Sequence, residues 1–268
     1  MERCRLAAPE EIYSPEHGIC WAEIWAMMLL LWLKLGLIKI DRRVADPRRL
    51  ATLLGWSTKE GIFREAWKIL AERIGCSVET FDLSNLSELA ELQERALLSD
   101  AIIVTEIWDL RDYSDVVKAA MAARVVKDLW PPTQPSSISK DGKATDDNEA
   151  YEHSVMILEV TLDEDGELTV WVYDPGFTTI LTFEESEFLA MWFTREDETK
   201  PINEITGENI VRGRTWIVHP PTILDPMVFD PSAKPEMLPG VADYLKALGD
   251  NNFVAAVHDI GKLLEEAF

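Results

Sequence analysis

Cys20, His153 and Asp174 have the residue types and the placement for nucleophilic acyl chemistry. A thiol attacks as its thiolate, and the unpaired N–H groups and dipole of a helix N-terminus favour that form. Cys20 stands near the head of GICWAEIWAMMLLLWLKLGLI, residues 18–38, a run too long for a strand, free of proline and rich in Ala, Leu and Met. It reads as a helix that ends at Gly36 and holds the cysteine in its first turn. Such a nucleophile needs a base within hydrogen-bond reach and a third group to orient the base. His153 leads HSVMILEVTL, and Asp174 follows LTVWVY; the two runs flank the acidic turn Asp163-Glu164-Asp165-Gly166 and read as a β-hairpin. In an antiparallel pair the start of one strand neighbours the end of the next. Two readings follow: an imidazole oriented by a carboxylate, as in a Cys-His-Asp triad, or an ordinary strand histidine beside an Asp that opens an Asp-Pro-Gly turn.

The elements that must position these residues can be read along the chain. The apolar run itself is broken by Glu23 and Lys34, short of the roughly 20 uninterrupted residues of a membrane span. It follows Pro9, Glu10, Glu11 and Glu16, not the basic segment of a signal peptide. A central helix of a soluble domain is the reading that remains. Asp46-Pro47 opens a short helix over 48–54, Thr58 a longer one over 59–74 that Gly75 stops, and a strand over 77–81 follows. A helix over 86–98, capped by Ser84 or Asn85, leads to a buried strand over 101–107. Residues 112–130 have helical character. The polar stretch 131–149 reads as a long loop, a lid or binding loop that carries Gln134. After the hairpin come a strand at 178–182, a helix over 183–193 announced by Thr182 and Glu185, and a last strand at 214–218. A proline-rich arm from His219 and two amphipathic helices, 241–248 and 253–268, close the chain.

This pattern predicts an α+β fold with one domain over 1–218, comprising a helical part 18–130, a mobile loop 131–150 and a β part 151–218. Residues 219–268 form an appendage. Its helices either pack on the same chain, the reading favoured, or dock on a second copy to give a homo-oligomer.

At 268 residues, 47% hydrophobic and with 10 Trp, the chain has ample material for a core. Its 26 basic against 48 acidic residues leave a net charge of −22, which repels phosphate backbones and argues against nucleic-acid partners. Arg42-Arg43 and Arg48-Arg49 are interleaved with Asp41 and Asp46 and read as a solvated helix start. Three scattered cysteines and four histidines offer neither a disulfide framework nor a metal constellation, so no metal or cofactor is expected and the compartment reads as reducing and cytoplasmic. Cys76, after Gly75 at a helix end, reads as core, and Cys4 as a bystander.

The order of the segments Gly18-Ile19-Cys20-Trp21-Ala22, Ala101 to Val104, His153-Ser154-Val155-Met156, Val172-Tyr173-Asp174-Pro175-Gly176 and LTFEESEFLAMW (181–192) resembles the papain-like cysteine peptidases. It is most similar to the bacteriocin-processing branch that cleaves double-glycine leaders. The resemblance covers residues 14–195 or so and implies a helical half, headed by the cysteine helix, packed on an antiparallel sheet half. It implies nucleophile Cys20, general base His153, orienting Asp174, and a peptide or protein substrate. The family usually carries a glutamine, an oxyanion donor, where this chain has Ser14. Losing one such donor costs about 2.7–4 kcal/mol in the transition state. Ser14, His17 and Gln134 are the candidate substitutes, with Trp21 beside the cysteine a substrate candidate. The alternative is a catalytically weak or inactive papain-like fold that serves as a protein-binding or structural module.

Overall fold

The computed structural model describes residues 20–57, 61–107, 153–162, 168–175, 179–192 and 213–267. They form a mixed α+β protein whose described residues fall into two compact units. One is built from the chain up to Val78 and from Val218 onward, the other from Glu79 to Asp174 and from Thr179 to Ile217. The helix expected over 112–130 and the loop over 131–149 lie outside the described residues.

The first unit is helical. Its helix α1 (Cys20–Lys34) is buried on nearly all sides, with Trp21, Ala22, Ile24, Trp25, Ala26, Met27, Met28, Leu29, Leu31 and Trp32 inside. That is what an apolar run without a polar stripe requires. Among the described residues no helix is long and apolar enough to cross a membrane. The helix ends at Gly36, where φ of +73° turns the chain so that the Leu37 N–H reaches back to the Trp32 carbonyl at 2.9 Å. The Asp46 carboxylate caps α2 (Pro47–Leu53) by accepting from the Arg48 and Arg49 N–H groups, with Pro47 in the first turn as expected.

Helix α3 (Arg64–Arg73) starts later than the sequence suggests, at Arg64 instead of residue 59. Residues 58–60 lie outside the described residues; Ser57 and Gly61 exchange both backbone hydrogen bonds, at 3.1 and 2.9 Å, Gly61 is left-handed, and Phe63 is the extended cap before the helix. Trp67 of α3 stacks on Trp21 with centroids 4.7 Å apart and meets Trp25 at 6.4 Å, which joins α3 to α1.

Residues beyond Val218, expected as an appendage, belong to this unit. Helix α6 (Pro226–Phe229), α7 (Pro239–Leu248) and α8 (Asp250–Ala267) lie there, with α7 against α3 and α8 against α2 and α7. Val241 and Leu245 of α7 are buried, and Tyr244 sets its ring edge-on to Phe63 and donates to the Glu65 carboxylate at 3.1 Å. The C-terminal helices therefore pack on their own chain.

The reason is a buried cation. Arg49 of α2 is 8% exposed and its guanidinium donates to the carbonyls of Ala233 (2.8 Å), Asp230 (2.9 Å), Met227 (3.3 Å) and Val228 (3.4 Å). It thereby satisfies the last turn of α6 and the irregular chain after it. Read from sequence as solvated, Arg49 is the fastening of the proline-rich arm. The arm is anchored again where the Thr222 and Ile223 N–H groups share the Ile74 carbonyl at the end of α3.

The second unit is built on a sheet of six strands among the described residues, in the order β1-β6-β2-β3-β4-β5. These are β1 (Val78–Leu83), β2 (Ile102–Ile107), β3 (His153–Leu162), β4 (Leu168–Asp174), β5 (Thr179–Glu184) and β6 (Gly213–Val218). From β2 to β5 each neighbour is antiparallel. Helix α4 (Leu86–Leu98) packs on β2 and β3, and α5 (Glu185–Trp192) on β2, β4 and β5. The cap of α4 is Asn85, which accepts from the Glu88 N–H, while the Glu88 carboxylate returns to the Ser84 N–H and hydroxyl. Helix α5 starts at Glu185 and not Phe183, because Phe183 is still paired with Val170 in the sheet.

Candidate active site

In the first unit, Cys20 is the first residue of α1 as described and is partly exposed. Cys76, just past α3, is buried, and burial pushes its thiol up to about 12, so at neutral pH it is protonated and unreactive. Trp21 is 3% exposed and stacked on Trp67, so its ring is committed to the core of its own unit and not presented to a substrate there. Ser14, His17 and Gln134 lie outside the described residues.

In the second unit, the strand register brings His153 and Asp174 together. β2 and β3 pair as Ile107↔His153, Glu106↔Ser154, Thr105↔Val155 and Val104↔Met156. β3 and β4 pair as Met156↔Tyr173 at that end of the hairpin. Carried one residue further, this sets Asp174 opposite Val155 and places it on the face that also carries His153, as a diagonal neighbour. Such neighbours stand on the order of 7–8 Å apart between backbones. Asp174 is fully buried, and on its other side β5 pairs with it at Thr179.

The same face is roofed by α5. Trp192 donates its indole N–H to the Thr105 hydroxyl at 2.7 Å, and Thr105 donates to the Arg214 carbonyl at 2.8 Å. With its one proton thus spent, Thr105 accepts from the Thr215 hydroxyl at 3.0 Å. Trp192 and Thr105 are both buried, so the network rigidly seats the end of α5 over β2, next to the row that contains Val155. Phe188 completes the roof against Phe183, centroids 6.3 Å apart. On this covered face Asp174 is fully buried, closed to water at its carboxylate.

Toward the turn end of the hairpin the register breaks. Ile157 pairs with Val172 but Glu159 pairs with Trp171, so Leu158 is an extra residue, a β-bulge. Gln93 of α4 sits at this bulge: its amide donates to the Leu158 carbonyl at 3.2 Å and its oxygen accepts from the Val160 N–H. Sequence reasoning passed over Gln93 and Thr105, and met Trp192 only as the end of the segment 181–192. The one signal available was a glutamine on the apolar stripe Leu86, Leu89, Leu92 and Ala96 of α4, where a buried polar residue implies a backbone partner.

No protein-family model matches the chain, and comparison with curated proteins finds no match. The site therefore stands on its own geometry.

Proposed function

We propose that this chain is a cysteine hydrolase of the papain-like kind, which cleaves a peptide or isopeptide bond with Cys20 as nucleophile, His153 as general base and Asp174 as the group that orients the imidazole. The observation that carries the reading is the placement of His153 and the buried Asp174 on one sheet face. A carboxylate so placed holds the imidazole in one tautomer and favours its protonated form, which in the proposed triad favours the Cys20 thiolate.

In the reaction the Cys20 sulfur adds to the scissile carbonyl carbon. The C–N bond breaks as His153 gives its proton to the leaving amine, and the acyl group remains on sulfur as a thioester. Water, deprotonated by His153, then releases the acid and the thiolate. A thiol nucleophile of this sort suits a reducing compartment, in keeping with a cytoplasmic protein.

The test is iodoacetamide labelling of the full chain across pH, together with turnover of a fluorogenic peptide pool. Labelling is expected to concentrate on Cys20 with a midpoint below the ordinary thiol value of about 8.5. It should lose that low midpoint in His153→Ala and vanish at this position, with all turnover, in Cys20→Ala. Equal labelling of all three cysteines with an ordinary pH dependence overturns the proposal. A low midpoint without turnover selects the second reading, a papain-like module that binds without cleaving, which Ser14 in the place of an oxyanion glutamine favours.

A further inference from the structure

We propose that Gln93 is a positioning residue for the His153–Asp174 pair, acting through the bulge at Leu158; the inference takes its functional meaning from the triad reading above. From the turn end of the hairpin, β3 and β4 run in step from Leu162↔Leu168 through Thr161↔Thr169 and Val160↔Val170 to Glu159↔Trp171. Continued without interruption, that register sets Asp174 opposite Met156. Residues alternate between faces, so Met156 and His153 lie on opposite sides of the sheet, and Asp174 would be separated from His153 by the sheet itself. The extra residue at Leu158 changes this: beyond it Met156 pairs with Tyr173, and Asp174 comes onto the His153 face. One inserted residue thus decides whether the two groups meet.

A bulge leaves backbone groups out of the ladder, and in a buried place those groups need partners. Leu158 is 6% exposed, and Gln93, 9% exposed, meets one donor and one acceptor there with a single carboxamide. Glutamine suits this because it carries both kinds of group on one planar head. A leucine at the same place, continuing the stripe of α4, would leave the Leu158 carbonyl and the Val160 N–H without these partners and so favour the uninterrupted register. Among the residues that the register puts around His153 on its face, Ile107, Val155 and Thr179 are uncharged, and Phe188 and Trp192 of α5 add no charge; Glu185, which opens α5, follows Glu184, paired with Thr169 at the other end of β4 from Asp174. Among these described residues around His153, Asp174 is the ionisable one.

The experiment reads the coupling of the pair, not activity. In the Cys20→Ala protein the histidine C2–H resonances are titrated by NMR; with four histidines in the chain, His153→Gln assigns the signal of interest. Asp174→Asn is expected to lower the His153 pKa by about one unit or more, because it removes a carboxylate that favours the imidazolium. In the Gln93→Leu background the same Asp174→Asn change should move the pKa by less than about a third of that. Gln93→Glu keeps the shape and the acceptor but loses the donor, so it should give an intermediate coupling and serves where Gln93→Leu does not fold.

A full Asp174 effect in folded Gln93→Leu or Gln93→Glu overturns the inference and leaves the triad reading standing, since Gln93 would then be only a structural clamp. No Asp174 effect in the parent overturns both. Coupling that depends on Gln93, in a protein whose Cys20 form shows no turnover, upholds the inference while the peptidase reading fails.

Discussion

In the first unit a guanidinium gathers carbonyls, and in the second a carboxamide gives one hydrogen bond and takes another. Arg49 and Gln93 do the same kind of work, satisfying irregular backbone inside an apolar core, but their hydrogen-bond inventories suit different irregularities. Arginine has donors alone, and the segment from Met227 to Ala233 presents carbonyls alone, the tail of a one-turn helix and the chain beyond it. A β-bulge frees a carbonyl and an N–H together, and Gln93 answers both. The contrast teaches that a buried polar residue can be read by what it must complement: a run of one kind of group calls for a charge, a mixed pair for an amide.

The largest expected effect in stability lies with Arg49. Arg49→Met keeps much of the volume but leaves the carbonyls of Asp230 and Ala233 without their donor, at a cost of about 3–5 kcal/mol. Urea denaturation should show it as a lowered midpoint with the C-terminal helices released first. Arg49→Lys should recover only part of the loss, because one ammonium cannot span carbonyls that a planar fork reaches. Gln93→Leu is expected to cost less, roughly 2–3 kcal/mol, because two groups lose partners instead of four and no charge was involved. If the two substitutions prove equal, the distinction between them fails.

A third polar cluster tests whether such work can be done without a clamp. Gly213 on β6 lets Trp192 lie flat on the sheet: a Cβ there would come within 2.1 Å of the indole ring. Gly213→Ala therefore forces the ring aside and stretches its hydrogen bond to Thr105, at about 1–3 kcal/mol. The Trp192 indole N–H resonance should shift in step, while those of the first unit stay in place.

Much of the local structure was legible in the sequence because its causes are local. The apolar run of α1, its Gly36 end, the Asp46 cap with Pro47, and the Asn85 cap of α4 each depend on a few adjacent residues. Expectations went astray where distant pairing overruled a local sign. Thr182 and Glu185 spell a helix start, yet Phe183 remains in β5 because Val170 holds it. Arg49 looked solvated between Asp46 and the chain surface because its partners come from 178 to 184 residues away. The hairpin made His153 and Asp174 neighbours on paper, but nothing in HSVMILEVTL marks Leu158 as the extra residue, so the face they share was invisible until the register was known.

The smallest effect at neutral pH separates the two described cysteines of the first unit. Cys76 is held neutral by burial, with its thiol pushed up to about 12, whereas in the unfolded chain it ionises near its ordinary value of about 8.5–9. Below that value both states are protonated and the thiol adds no pH dependence. Between about 9 and 12 the unfolded state has lost its proton while the folded state keeps it, so stability falls as pH rises, by up to about 1.4 kcal/mol per unit. Cys76→Ala should flatten this decline at the cost of a small loss at pH 7 from the vacated volume. Native-state labelling should miss Cys76 even at pH 9 and reach it only on unfolding. A Cys76 that reacts in the folded protein as fast as Cys20 would mean that burial at the end of α3 does not protect a thiol, and the division of labour between the two cysteines would be lost.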